Sequence, residues 1–543
     1  MNGLDSPRLD CLLIGYNETP VAELERLTVT KLGKDSGLYS DLKLQFVEPP
    51  GQPKMHFTDL LSHVWHEARG GDPDPFRMCD IPALGPVYLT NYLRRRGKRA
   101  DWINLFQREK AELIEHLSAD PVCIAVTTTL YSINLPVKEI VRFARRHNPR
   151  VPIVVGGPLI ANHVRDYRGD KLAGVLGDLE ADIFVNEFQG ERTLDRIVDC
   201  LKNGGDLATV PNVMSFGEDG GLRINPAEHE ENDLDEEHIL WTSFPGRDLG
   251  PTIQTRTARS CAFSCSFCNY PRIGKLALAG VDTVKRELDS MRELGTVKNV
   301  LFIDDTFNVP LPRFKEICRM MIREGYGFDW YSYFRCSNSD EECIELMAES
   351  GCRGVFLGIE SASASILQSM NKVADIAKYR RGIEWLSERG IFTFGSFIVG
   401  FPGETAETLQ ETVDFIAESK LDCFRTQLWY CEPGTPIFHE KEKYGIQGKG
   451  FDWSHNTMDS GEAAAHAERI FLSLDHPQWL TKLGFDFWII PYLFGKGVTR
   501  DQLDGFLSSS RDLLRMELTL APGDDKARAQ QAVLDRMVGE IGG

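Results

Sequence analysis

The sequence predicts an α/β protein: a Rossmann-like domain over residues 1–215, a linker over 216–249, a partial (β/α)6 barrel over 250–445 and a mostly helical C-terminal cap over 446–543. Three observations predict it. Short apolar runs alternate with amphipathic stretches through two long tracts, an acidic segment with glycine turns separates those tracts, and the last hundred residues carry no clear strand series. At roughly 150 residues per domain, 543 residues suggest three or four domains.

In the first tract a strand is expected over 9–15. After a long insertion, a helix opened by residues 87–93 runs into the basic stretch Arg94-Arg95-Arg96. Strands follow over 100–105, 122–127, 153–156 and 182–186, a pattern that implies parallel βαβ units. Ligands in such sheets bind beyond the carboxyl ends of the strands. The polar turn at 217–221 and the acidic run 228–237 read as an exposed linker. In the second tract strands are expected over 253–257, 299–303, 328–334, 354–359, 392–399 and 423–430. Phe314, Ile317, Met321 and Ile322 mark one helical face, and Gly295, Gly325, Gly351 and Gly390 stand where helices should stop. In the cap, the aromatic residues Phe451, Trp453, Trp479, Phe485, Phe487 and Trp488 accompany an alanine-rich helix near 461–472.

Composition narrows the function. Hydrophobic residues at 42% and charged residues at 26% indicate a globular chain. The net charge of −19 disfavours binding to a nucleic-acid backbone, and the apolar run 488–494 is far too short to span a bilayer. The first residues lack the basic and apolar regions of a secretion signal, so the expected location is the cytoplasm, with no membrane partner. Thirteen cysteines, an odd number spread thinly, point to reduced thiols.

Three of those thiols are clustered. Arg259-Ser260-Cys261-Ala262-Phe263-Ser264-Cys265-Ser266-Phe267-Cys268-Asn269-Tyr270-Pro271 directly follows the first barrel strand, with spacing C-x3-C-x2-C. A short loop with three thiolates can wrap a four-iron cluster and leave one iron open. A zinc site would need a fourth Cys or His nearby, and residues 240–317 offer none.

This loop resembles the signature of the radical S-adenosylmethionine (SAM) enzymes. The resemblance implies a 4Fe-4S cluster on Cys261, Cys265 and Cys268, SAM chelated by the open iron, and a 5′-deoxyadenosyl radical. It further implies SAM contacts from Phe267, from Asp304 or Asp305 after the second strand, and from Arg335 after the third. Glu360 and Ser361 would follow the fourth strand, Ile398 and Gly400 the fifth, and Tyr430 the sixth, with Cys431 beside it. A flavodoxin- or ferredoxin-type electron donor is implied in turn.

The α/β domain ahead of the barrel resembles the cobalamin-binding branch of that superfamily. The likeness rests on Ala125-Val126-Thr127-Thr128-Thr129-Leu130-Tyr131, Val154-Val155-Gly156-Gly157-Pro158 and Gln189-Gly190-Glu191. It implies cobalamin held by Thr127, Thr128, Thr129, Gly156, Gly157, Pro158, Gly190 and Glu191, with Tyr131 toward the lower face. The D-x-H-x-x-G string that places a histidine on cobalt does not occur. Longer stretches, 12–18, 303–310, 427–430 and 453–460, resemble the phosphinothricin-type P-methyltransferases. That likeness implies methyl transfer from methylcobalamin to a phosphinate phosphorus or an unactivated carbon of a small-molecule substrate. Cys431, Trp453 and His455 are candidate substrate contacts. Three alternatives share these motifs in part: a cobalamin-dependent radical cyclase or rearrangement enzyme, a non-catalytic cobalamin sensor, and a methylthiotransferase. The last would draw a second cluster from Cys11, Cys79 and Cys123.

Overall fold

The computed structural model describes residues 8–77, 80–270 and 274–542; Cys79 and Pro271 lie outside the described residues. The chain divides into two compact units. The first comprises residues 1–19, 79–248 and 286–294, and the second residues 20–78, 249–285 and 295–543. The long insertion after the first strand is thus part of the second unit rather than of the domain expected over 1–215.

The first unit is built on a seven-stranded sheet: β1 (Cys11–Tyr16), β2 (Ala100–Leu105), β3 (Cys123–Thr127), β4 (Ile153–Gly156), β5 (Ile183–Val185), β6 (Val213–Phe216) and β7 (Leu222–Ile224), in the spatial order β2-β1-β3-β4-β5-β6-β7. The first five strands are parallel, as the alternation predicts, and β6 and β7 add an antiparallel edge. The polar turn at 217–221 joins that hairpin, so the sheet runs past the expected boundary at 215. Leu12, Ile14, Ile124, Val126, Ile153 and Val155 are almost fully buried beneath the helices. Each such side chain contributes about 1.5–3 kcal/mol of transfer energy.

The acidic linker is not uniformly exposed. Glu230, Asn232 and Glu237 are buried. The Glu230 carboxylate accepts from the backbone N–H groups of Arg192 and Thr193 at 2.9 and 2.8 Å, capping the helix Glu191–Asn203 where its dipole favours negative charge. Glu237 pairs with Arg96 at 2.7 Å. A charge run read as solvated is here the glue of a helix end.

The second unit carries β8 (Thr252–Thr255), the short hairpin β9 (Ala258–Arg259) and β10 (Ala277–Leu278), then β11 (Asn299–Phe302), β12 (Asp329–Phe334), β13 (Cys352–Glu360), β14 (Phe392–Val399) and β15 (Cys423–Leu428). Two small strands, β16 (Gln447–Lys449) and β17 (Asp452–Ser454), precede β18 (Gln478–Trp479). The main sheet is parallel in the order β18-β15-β14-β13-β12-β11-β8, the six expected strands plus a two-residue seventh. Gly295, Gly325, Gly351 and Gly390 all have positive φ, as helix stops require. Phe302, Phe307, Phe314 and Trp330 form an aromatic cluster beside β11 and β12, with Phe302 and Phe307 stacked at 4.4 Å. Among the described residues no helix is long and apolar enough to cross a membrane.

Candidate functional site

The cysteine loop begins where β9 ends, at the carboxyl side of the second sheet, and is braced at several points. Ser260 sits at φ 65° with its hydroxyl on the Gly274 carbonyl at 2.8 Å. The backbone N–H of Ser266 donates to Met370 O and its hydroxyl to Ser369 O, both at 2.8 Å. The Asn371 amide donates to Ser264 O at 2.8 Å, and Ile437 N–H donates to Ser266 O at 2.8 Å. A loop with this many external hydrogen bonds is pre-shaped rather than ordered by a ligand.

Within it, Cys261 Sγ lies 3.5 Å from the Thr306 hydroxyl, and Cys268 Sγ accepts the Tyr270 N–H at 3.4 Å. Burial pushes the Cys268 thiol up to about 11, and the other two loop sulfurs reinforce the shift. Burial also raises Cys265, opposed by the positive charges of Lys372 and Arg335. The three sulfurs therefore share one electrostatic environment. Among the described residues no three His, Cys, Asp or Glu side chains converge closely enough to hold a single metal ion.

Asp304 and Asp305 have separate positions. The Asp304 carboxylate is buried and accepts from Thr257 N–H, Ala258 N–H and the Thr257 hydroxyl, each at 2.6 Å. Arg313 closes the same junction by donating to the Thr257 and Ala279 carbonyls at 3.1 and 2.7 Å. Asp304 thus fixes the segment leading into the cysteine loop, instead of making the SAM contact expected of it. Burial, together with the neighbouring Asp304 charge, pushes Asp305 up to about 7, opposed by Arg256.

Arg335 lies with its guanidinium 3.7 Å from the Phe263 ring and donates to the Val373 carbonyl at 2.7 Å. Glu360 ends β13 at φ 69°, after a register shift, and accepts from Lys372 Nζ at 3.0 Å. Gly358 makes this possible: a Cβ there would stand 2.7 Å from the Glu360 carboxylate. Lys372 is nearly buried, 5.9 Å from the Phe267 ring. The Phe267 edge meets Phe401 at 6.5 Å. The Ser361 hydroxyl turns inward, toward Thr412 at 3.4 Å and Ser363 N–H at 3.1 Å, away from the SAM role expected for it. Ile398 is buried on β14. Tyr430 is half exposed, its ring 5.0 Å from Phe451.

Gly400, at φ 85°, gives its N–H to Glu404 at 2.6 Å, and a Cβ there would stand 2.5 Å from the Trp453 ring. The remaining expected substrate contacts are engaged beneath it. Trp453 donates to Trp429 O at 2.8 Å and stacks on His455 at 5.1 Å. His455 Nε2 meets the Gly400 carbonyl at 3.1 Å, and burial holds its imidazole below the ordinary value. Cys431 is fully buried, and burial pushes its thiol up to about 12. Trp453 and His455 brace the end of β14 from below, and Cys431 is tied to the Gly448–Gly450 turn.

In the first unit, Thr127, Gly156 and Val185 form one row across the carboxyl ends of β3, β4 and β5. Thr127 donates to Ile14 O at 3.3 Å. The buried Thr128 hydroxyl donates to Gly156 O at 2.9 Å and accepts Leu159 N–H at 3.2 Å. Gly157 is at φ 109°, and a Cβ there would stand 2.9 Å from that hydroxyl; Pro158 then opens the helix Pro158–Asp166. Thr129 and Leu130 are exposed after β3, and Phe188 is half exposed after β5. Two expected contacts are taken inside. Tyr131 donates its hydroxyl to Gly15 O at 2.9 Å and stacks on Tyr16 at 6.4 Å, so it offers no lower-face group. Glu191 is buried and accepts from the Asn232 amide at 2.7 Å, while Gly190 caps its helix at φ 70°. Cys11 and Cys123 are buried and paired in neighbouring strands.

Sequence reasoning missed Lys372 and Arg313, and gave Thr306 no role although it stands within the stretch 303–310. Nothing in the linear pattern marks the first two, because each acts on a segment distant in sequence.

Residues 255–416 match the family model for the Radical SAM superfamily. The chain is 28% identical over 457 residues to an uncharacterized methyltransferase of Pyrococcus horikoshii, covering 80% of this chain and 94% of the relative. It is 25% identical over 383 residues to the anaerobic magnesium-protoporphyrin IX monomethyl ester cyclase of Rubrivivax gelatinosus, covering 66% of each. Its fold matches the radical S-adenosylmethionine methyltransferase TsrM of Kitasatospora setae, solved with cobalamin and a [4Fe-4S] cluster. The TM-score is 0.61 at 18% identity, over 84% of this chain and 96% of that one. The chain is thus an α/β protein with a radical SAM domain, sharing its fold with a cobalamin-bound radical SAM methyltransferase.

Proposed function

We propose that this protein is a cobalamin-dependent radical SAM methyltransferase acting on a small molecule, with a phosphinate phosphorus or an unactivated carbon as methyl acceptor. The observation that carries the reading is the braced three-cysteine loop at the mouth of an open parallel sheet, with Arg335 and Lys372 beside its sulfurs. Cys261, Cys265 and Cys268 suit a four-iron cluster with one iron free of protein ligands. Loaded with its cofactors, the site would supply a one-electron reductant for SAM and a transferable methyl group.

The chain's own residues position and exclude. Lys372 and Arg335 offset the negative charge of thiolates, and the Tyr270 N–H stabilises Cys268 Sγ. Asp305 is the carboxyl left for the methionyl ammonium, since Asp304 is committed to the backbone. Glu360, oriented by Lys372, would meet the ribose hydroxyls, and Phe267, packed on Phe401, would border the bound SAM along with Tyr430. In the first unit, Gly156, Gly157 and Thr129 form a low floor between Leu130 and Phe188, suited to a flat macrocycle. Residues 8–19 and 80–248 are on this reading the cobalamin domain. A flavodoxin or ferredoxin would deliver the electron.

Similarity to the methyltransferase of Pyrococcus horikoshii supports methyl transfer, and similarity to the anaerobic cyclase keeps a ring-forming reaction as the second reading. Anaerobic reconstitution with methyl-labelled SAM separates them. Label in the product, with deoxyadenosine formed and lost to background in each of Cys261→Ala, Cys265→Ala and Cys268→Ala, is the expected result. An unlabelled, cyclised product would replace this reading with the second, and deoxyadenosine persisting in all three variants would end both.

A further inference from the structure

The second unit buries two cations without a direct partner. Arg425 on β15 is in register with Ser396 on β14, and Ser396 with Gly358 on β13. Along β13, Phe356, Gly358 and Glu360 keep some reachable surface, while Val355, Leu357 and Ile359 are buried; on β15 the same holds of Arg425 and Gln427 against Phe424 and Thr426. On these two strands the face that carries Arg425 is less completely covered than the opposite one. The Arg425 guanidinium stands 5.6 Å from the Phe356 ring and 5.5 Å from the Phe394 ring. Among the described residues it makes no hydrogen bond or ion pair, and its Nε is buried without a partner.

Lys482 holds its ammonium 5.0 Å from the Phe451 ring, with no ion pair among the described residues. Burial holds both cations below their ordinary values, opposed by Asp41 and, for Arg425, by Asp486 as well. Yet both retain reachable surface, as side chains do when they line an internal cavity. Asp486 does not close on Arg425: its carboxylate takes the Trp488 N–H at 3.0 Å. Trp488 in turn donates to the Tyr333 hydroxyl at 3.2 Å, adding an aromatic wall. The neighbours of Arg425 across the sheet, Ser396 and Gly358, are small, and the Glu360 carboxylate with Lys372 Nζ stands over Gly358. A buried guanidinium without an acceptor is strongly unfavourable, and its planar fork fits a two-oxygen anion.

We propose that Arg425 and Lys482 form the anion-binding end of the substrate pocket, taking a carboxylate or phosphinate carried by the methyl acceptor. That the ligand is the acceptor rests on the function proposed above; that the pocket binds an oxyanion does not. Arg425 lies on the Glu360 side of the sheet and within its field, so an anchored substrate would extend toward Lys372 and the cysteine loop.

The test is calorimetric titration of the full-length reconstituted protein, without SAM, with methylphosphinate, acetate and inorganic phosphate. Saturable binding of methylphosphinate or acetate is expected, weakened tenfold or more in Arg425→Gln and severalfold in Lys482→Met, and unchanged in the surface variant Lys443→Met. The tighter of the two anions identifies the group. Absence of binding to the wild type, binding of phosphate alone, or binding unchanged in both variants would overturn the proposal. If circular dichroism shows Arg425→Gln to be misfolded, Arg425→Lys and Lys482→Met decide by the same criterion. Anion binding without methyl incorporation would overturn the methyl-transfer reading alone, and methyl incorporation without anion binding would overturn this pocket alone.

Discussion

The carboxyl edges of the two sheets are built on opposite principles. In the first unit the edge is shaped by backbone: Thr128 ties β3 to β4, Gly157 takes a φ of 109° that a side chain would obstruct, and the large exposed groups are apolar. In the second unit the edge is shaped by charge: Asp304 with Arg313, Glu360 with Lys372, and Arg335 over an aromatic ring. An edge of the first kind recognises by contour and tolerates the loss of a hydroxyl. One of the second kind depends on charges whose partners are buried with them.

The largest effect should come from breaking the charged edge at Asp304. In Asp304→Asn two acceptor positions facing three donors are replaced by one, and Arg313 loses its counter-charge. Denaturant unfolding should show a loss of about 2–4 kcal/mol, with iron incorporation falling in parallel. Unchanged stability would mean that the junction is held by β9 and β10 alone. On the contoured edge, Gly157→Ala should cost about 2–3 kcal/mol and reduce corrinoid retention, because only glycine is at ease at this φ and the new Cβ meets Thr128. The exposed neighbour variant Thr129→Ala should stay within about 0.5 kcal/mol of the wild type in the same measurement.

An effect of pH sharpens the contrast. Burial pushes the Glu404 carboxyl up to about 8, so at neutral pH this residue of the charged edge is itself uncharged. Its folded-state value lies above its unfolded one. The stability it contributes is therefore full below about 4.5 and is lost as pH rises through about 8. Between pH 6 and pH 9, Glu404→Gln should gain roughly 2–3 kcal/mol of stability relative to the wild type. Equal slopes for the two proteins across that range would show that Glu404 does not titrate there.

Much of this architecture was legible from the chain. The strand–helix alternation located both parallel sheets, because short apolar-rich runs spaced by amphipathic helices leave few other topologies, and β18 escaped because two residues carry no period. The cysteine loop was legible because its three thiols are local in sequence. Roles depending on distant partners were not. Ser361, Tyr131 and Glu191 carry the right chemistry at strand ends, yet Thr412, Gly15 and Asn232 draw them inward. Choosing between Asp304 and Asp305 required knowing where the Thr257 and Ala258 N–H groups point. The acidic linker misled for the same reason: a carboxylate at a helix start looks like any other until the helix is in place.

The detour of residues 20–78 into the second unit bears on how the protein is made. β1 leaves the ribosome early, but its neighbours β2 and β3 follow only after the detour. The detour's own helix, Phe57–Arg69, rests on the helix Asp524–Gly542, with Arg69 donating to Ile541 O at 3.0 Å. Neither unit is one continuous stretch of chain, and the second is incomplete until the helix Asp524–Gly542 has been made. No single cleavage point would release an intact half.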